Sequence, residues 1–215
     1  MAKKTKKAPS ARTAQKREQV KREILDFAQS ILSEAGPEAV TLASVAGRLG
    51  MTKQSLYHYY ASKEALVRGL VTTLLDQEIE ALLAAIAKQK SDRKVLGTLI
   101  QAFYTHYADN LEAFRTIYCQ TQLFTSAHSD LDEVTLREEI HPRTRHLFDI
   151  LERRIAGEAA TGADRKRARE LAFTAWTSVL GLMTMLGVAD ATDDPVMHSE
   201  KVLLATLSRV FDEAV

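Results

Sequence analysis

Lys53, Gln54, Ser55, Tyr57 and His58 crowd into one short stretch, with Thr41, Ser44 and Thr52 before it and Lys63 after it. The set is rich in hydrogen-bonding groups and holds no carboxylate, the surface expected of an element that meets a polyanion. Lysine can reach guanine O6 and N7 and glutamine can read adenine, so Lys53 and Gln54 are candidate base readers. For Lys53 a phosphate contact or plain solvation stands level with that role. Ser44, Thr52 and Ser55 suit phosphate contacts or helix caps better than base reading. Lys63 stands at a helix start, where free backbone N–H groups would join it on a phosphate, and Thr41 has the same role at the start of an earlier helix.

These residues need helices to hold them. Leu42, Val45, Ala46 and Leu49 recur at i, i+3, i+4 and i+7, one face of a short helix that Thr41 caps. Gly50 falls where that helix must stop in a left-handed conformation, Met51 continues the apolar contact, and Thr52 caps a second short helix whose buried face is Leu56 and Tyr59. Helices this short are unstable alone and must pack on each other and on neighbours. The pattern is a helix-turn-helix of the kind that enters a DNA major groove.

The flanking chain supplies the supports. A first helix is expected from about Thr13 to Ala35, with Val20, Ile24, Phe27, Ala28, Ile31 and Leu32 as its apolar stripe and Gly36-Pro37 as its stop. Residues 1–12 are basic and aperiodic and read as a disordered arm. Residues 1–22 hold nine Lys or Arg against Glu18 alone, a charge of +8, whereas the other 193 residues sum to about −7. A basic arm beside a DNA-reading unit on an acidic body gives one face to a polyanion. Ser62 caps a long helix running to about Lys90, with Leu66, Leu70, Leu74, Ile79, Leu82, Leu83 and Ile86 buried, which would connect the DNA-reading end to the rest.

Beyond Ser91 the pattern is helical throughout: about Asp92 to Ala108, about Leu111 to Ser126, a mobile region near His128–Asp130, and about Leu131 to Ala160 with Pro142 kinking or splitting that helix. The helix from about Asp164 to Val188 is apolar on more than one face, with Ala172, Ala175, Gly181 and Gly187 allowing close approach. After a polar loop from Asp190 to Pro195, a last helix covers about Val196 to Ala214. One chain lacks the helices to cover these two, so a homodimer through about 164–188 and 196–214 is expected. The fold class is therefore all-α, an N-terminal three-helix module (13–62) plus a larger helical regulatory and dimerisation domain (63–215). No signal peptide is expected, because no apolar core follows the basic start. No apolar run is expected to reach the roughly 18 residues that span a bilayer, since Ala175 to Ala189 is broken by Thr, Ser and Gly. One cysteine, Cys119, excludes an intramolecular disulfide and fits a reducing cytoplasm, as a small buried hydrophobe.

The stretch resembles the DNA-binding signature of the TetR family of transcriptional regulators. The residues that carry the resemblance are Thr41, Ala46, Gly50, Leu56-Tyr57, Tyr59-Tyr60, Lys63, Glu64 and Leu66. Tyr60 departs from the family's usual Phe and adds a hydroxyl that needs a partner. The resemblance implies that Tyr57 contacts a phosphate and that His58 touches base or backbone. It implies a dimer whose two recognition helices occupy successive major grooves of a near-palindromic operator, roughly 34–36 Å apart. It also implies a C-terminal pocket whose small-molecule effector releases the DNA, making the protein a repressor. The alternative is a DNA-binding protein of this fold controlled by a protein partner, which a sealed and fully packed C-terminal core would favour.

Phe103, Tyr107, Tyr118, Gln122, Trp176 and Met183 mix apolar walls with polar tips and are the candidate ligand contacts, each with ordinary core as its plainer role. His106, His141 and His146 lack ligand spacing, so no metal and no cofactor are expected. No Gly-rich phosphate loop, Gly-x-Ser-x-Gly or zinc-protease signature occurs, and an enzyme is not expected.

Overall fold

The computed structural model describes residues 11–120, 136–192 and 199–215. The arm lysines Lys3, Lys4, Lys6 and Lys7, the candidate Gln122, the region around His128–Asp130 and the side chain of Cys119 lie outside what it describes. Every described element is helical, and the chain divides into two compact units, Met1–Val71 and Thr72–Val215.

In the first unit α1 (Ala11–Ala35) packs on α2 (Leu42–Arg48), and α2 packs on α3 (Lys53–Tyr57). Ile24, Ala28, Ile31 and Leu32 of α1 are buried with Val40, Leu42, Val45, Ala46, Leu56 and Tyr60. Phe27 differs from expectation: it lies at the margin of the stripe and stays 36% exposed. Helix α1 also begins two residues before the expected start at Thr13, because Ala11 and Arg12 are good helix formers that need no buried partner. Burial pushes the Tyr60 hydroxyl up to about 12, with the Glu18 carboxylate adding to the rise, so it stays protonated.

The turn between α2 and α3 is built by local chemistry. Thr41 accepts the Ser44 N–H at 3.0 Å while the Ser44 hydroxyl accepts the Thr41 N–H at 3.0 Å, a reciprocal capping box. Gly50 takes φ +64°, and the Met51 N–H reaches back to the Ala46 carbonyl at 2.9 Å, closing α2. Thr52 then caps α3 by accepting the Ser55 N–H at 3.1 Å.

Helix α4 (Lys63–Lys88) starts in the first unit, capped by the Ser62 hydroxyl on the Ala65 N–H, and continues into the second. There follow α5 (Val95–Tyr107), α6 (Leu111–Phe114) running into a π-helical segment Arg115–Gln120, α7 (His141–Ala156), α8 (Gly162–Thr192) and α9 (Glu200–Ala214). Helix α8 packs on α7, α5 and α9, and α9 packs on α5. The α9–α5 contact includes a cap from afar: Asp212 accepts the Gly97 N–H at 2.8 Å, an acid at the positive end of α5. A Cβ at position 97 would lie 2.5 Å from that carboxylate, so the approach requires glycine. Arg154 of α7 donates to the Ile86 and Gln89 carbonyls at 2.6 and 2.7 Å, satisfying the C-terminal end of α4.

Of the two alternatives for Pro142 the split is the one seen: it occupies the first turn of α7, after a π-helical segment Leu136–Ile140, as fits a residue without an N–H. Three expectations for this unit are corrected. Helix α7 ends at Gly157, which takes φ +80°, and not near Ala160. Helix α8 runs on to Thr192, and α9 starts at Glu200 behind the Ser199 cap, whose hydroxyl accepts the Val202 N–H. By length and composition Gly162–Ala189 is apolar enough to cross a membrane, contrary to the sequence expectation, because its Thr and Ser hydroxyls are too few to offset the aliphatic residues. As expected of a single chain, the α8 surface is not covered on all sides within the unit, since Met185 and Val188 are exposed.

Gly50→Ala should lower stability by about 1 kcal/mol, since an L side chain resists the left-handed region, and Gly50→Asn by less. Urea unfolding checks this; equal midpoints for all three proteins would mean that the turn relaxes without cost.

Candidate nucleic-acid interface and regulatory core

Helix α3 has five residues and buries one of them, Leu56. That single anchor leaves Lys53, Gln54, Tyr57 and His58 on the exposed side. Lys53 Nζ lies 5.9 Å from the Tyr57 ring centroid, a cation over an aromatic face. Thr41, Lys53, Tyr57 and Lys63 line one shallow concavity of about 400 Å³, so the structure brings together four residues chosen from sequence on three separate elements. Ser44 and Thr41 are engaged with each other, and the Ser44 hydroxyl also donates to the Ala39 carbonyl at 2.7 Å. Thr52 and Ser55 share a hydroxyl contact of 2.9 Å. These four therefore have caps to maintain, whatever else they touch.

A second concavity, about 480 Å³, lies between the start of α1 and the end of α3, lined by Thr13, Lys16, Arg17, His58 and Tyr59. Arg17 donates to the His58 carbonyl at 2.9 Å, capping the end of α3 and fixing a cationic helix end beside it. Sequence reasoning counted Arg17 only as charge. The helical phase of α1 was the available signal, because Arg17 precedes Val20 and Ile24 on neighbouring turns.

The second unit gathers Phe103, Tyr107 and Tyr118 with Phe114 into one aromatic cluster, ring centroids 5.1 to 6.3 Å apart, and Trp176 joins it 6.0 Å from Tyr118. Phe103, Tyr107 and Met183 are fully buried. At the centre stands a residue the sequence reading passed over, Glu78 of α4, 1% exposed. The Tyr107 hydroxyl donates to one carboxylate oxygen, and the Tyr118 hydroxyl spans both at 2.9 and 2.7 Å. Its signal was present: Glu78 sits at i+4 from Leu74 and i+3 from Leu75, an acid inside an apolar stripe. Burial pushes the Glu78 carboxyl up to about 7, with the two tyrosine hydrogen bonds holding the rise in check. Burial and the Glu78 charge together push the Tyr107 and Tyr118 hydroxyls well above their ordinary value. Among the described residues no group of three or more His, Cys, Asp or Glu side chains is placed to hold a metal ion.

A capped helix, a left-handed glycine turn and a second helix with one buried anchor and a cationic, amide-bearing outer face define a helix-turn-helix DNA-binding protein. Comparison with known proteins gives that helix-turn-helix a family. Residues 24–70 match the family of bacterial regulatory proteins described as the tetR family. The transcriptional repressor KstR2 of Rhodococcus jostii is 30% identical over 82 residues, which are 38% of this chain and 40% of that protein. The transcriptional regulator BetI of Brucella anthropi is 24% identical over 152 residues, 71% of each chain. The fold extends further: a TetR/AcrR family regulator from Thermobifida fusca superposes with a TM-score of 0.65 at 21% identity, covering 90% of this chain and 97% of that one. Residues 24–70 are therefore a helix-turn-helix DNA-binding domain of the tetR family, and the fold along the rest of the chain is the one that regulator shares.

Glu78 makes stability depend on pH. Folded, its carboxyl titrates near 7; unfolded, near 4.5, so the folded chain holds the extra proton between those values. The contribution is complete below the lower value and is lost as pH rises through the upper one, by about 3 kcal/mol in all. Glu78→Gln, which mimics the protonated acid, should flatten this slope. Urea midpoints between about pH 5 and about pH 8 decide it, and equal slopes for both proteins would contradict the assignment.

Proposed function

We propose that this regulator is a homodimeric, cytoplasmic repressor that binds a near-palindromic operator and leaves it when a small molecule occupies the unit Thr72–Val215. The observation that carries the reading is the convergence of Thr41, Lys53, Tyr57 and Lys63 on one exposed concavity next to the acid-free side of α3. In this assignment residues 13–62 form the DNA-binding domain and 63–215 the regulatory domain. Gln54 and Lys53 reach base edges, His58 touches base or backbone, and Tyr57, Lys63, Thr41, Ser44, Thr52 and Ser55 hold phosphates while capping their helices.

Dimerisation is supported by surface that one protomer leaves wet. Met185 and Val188 on α8 and Val202 and Val210 on α9 are between 44% and 57% exposed. A second copy would cover this surface and supply the second reading head that a palindrome needs. Effector control is supported by the aromatic cluster around Glu78, a polar group held among rings on the helix that also begins with Lys63. An effector need only favour a conformer whose reading heads are wrongly spaced, and coupling of about 1–3 kcal/mol would weaken operator binding roughly 5–150-fold. Full burial of Phe103 and Tyr107 favours the second reading, control by a protein partner, to the extent that those rings are core.

Lys63→Ala should weaken binding to all DNA sequences and reduce the salt slope of log affinity by about one. Gln54→Ala should instead relax preference at one operator position, worth about 1–3 kcal/mol. Competition binding at several salt concentrations separates the two; an unchanged slope rejects the Lys63 phosphate contact, and uniform loss rejects base reading by Gln54. For the assembly, Met185→Glu combined with Val210→Glu should give a monomer in sedimentation and lose operator affinity. A wild-type monomer at micromolar concentration, or a variant that stays dimeric, would rule out this interface.

A further inference from the structure

Between α7 and the first half of α8 lies an open groove of about 670 Å³, within the size range of small-ligand sites, roughly 300–1,000 Å³. Its floor is aromatic. Phe148, Phe173 and Trp176 stand with ring centroids 5.5 to 5.9 Å apart, and Phe173 is 52% exposed. Its rim is cationic, with Arg145, Lys166 and Arg169 against the single acid Glu170. Arg169 is taken up by Asp149 and Glu152, each at 2.8 Å, and Lys166 makes only a loose pair with Glu170 at 3.8 Å. Among the described residues Arg145 has no ion pair. Among the described residues the groove thus offers an apolar stacking surface bordered by Arg145, which has no ion pair, and by Lys166, whose pair with Glu170 is loose.

We infer that this groove binds a small amphiphilic anion, an apolar body laid on Phe173 and Trp176 with one acidic head held by Arg145 and Lys166. An aromatic floor alone would also suit a cation, but the rim repels one. A neutral hydrocarbon would bury the floor while stripping water from two charges and giving them no partner. A carboxylate or phosphate satisfies both parts, the arginine fork matching either head. Trp176 also carries the consequence inward: its ring meets Tyr118, whose hydroxyl is bonded to Glu78 of α4. A ligand pressed on Trp176 therefore bears on the ring that holds the buried carboxylate. As the effector of the regulator this ligand class rests on the function proposed above, whereas the groove as a binding site does not.

Trp176 is the only tryptophan in the chain, so its fluorescence reports the groove directly. The full chain is titrated with decanoate, decyl phosphate and decanol, and operator release is followed in parallel samples. The acids should change Trp176 emission saturably and bind at least about tenfold tighter than the alcohol. The two acid arms tell which head the rim prefers. Arg145→Gln with Lys166→Gln should weaken the acids by at least about tenfold and leave decanol and DNA binding unchanged, the latter showing that the variant is folded. Equal binding of acid and alcohol, acids that bind the variant as well as wild type, or no saturable change for any of the three would overturn the proposal. If the acids bind in this way but release no operator, the groove stands and its effector role fails. Release that persists undiminished in the variant would place the effector elsewhere and overturn the assignment.

Discussion

A five-residue helix cannot hold its own backbone in water, and α3, the second helix of the helix-turn-helix, is such a helix. Everything it presents depends on the burial of Leu56 beneath it, on a helix that packs against α2. Because one anchor and two threonine caps suffice, the other side chains of α3 are free to be polar. Lys53, Gln54, Tyr57 and His58 owe their exposure to that economy, and Arg17 closes the far end by taking the His58 carbonyl. A polar helix without tertiary support would unravel; a better anchored one would have fewer side chains to offer a groove.

The second unit solves the opposite problem. It has apolar surface in excess and places one carboxylate inside it. Glu78 remains tolerable there because two tyrosine hydroxyls point at it and because it takes a proton near neutral pH. The rings that carry those hydroxyls form the aromatic cluster, and the cluster meets the solvent groove at Trp176. Polar satisfaction in the core and accessibility at the surface thus share residues.

Much of the first unit was legible because its rules are local. Thr41 and Thr52 as caps, Gly50 as the left-handed stop and Leu56 as the buried residue each follow from near neighbours in sequence. Phe27 went astray because a helical stripe gives a direction, while burial depends on whether a neighbour stands opposite. In the second unit the errors fall where distance decides. Asp212 capping Gly97 and Arg154 capping α4 link residues 115 and 68 positions apart, invisible to any window. Glu78 was hidden by its type, since an acid is assigned to the surface unless its stripe is examined residue by residue. Pro142 was placed correctly as a breaker, but whether it kinks or begins a helix depended on the π-helical segment before it.

The central claim is that α3 reads DNA as one of a pair. Hydroxyl-radical footprinting of the full chain on a selected genomic fragment tests it most directly. Two protected patches on near-palindromic half-sites, centred about 10 base pairs or one helical turn apart, are the expected result. A single patch, or diffuse protection indifferent to sequence, would contradict it.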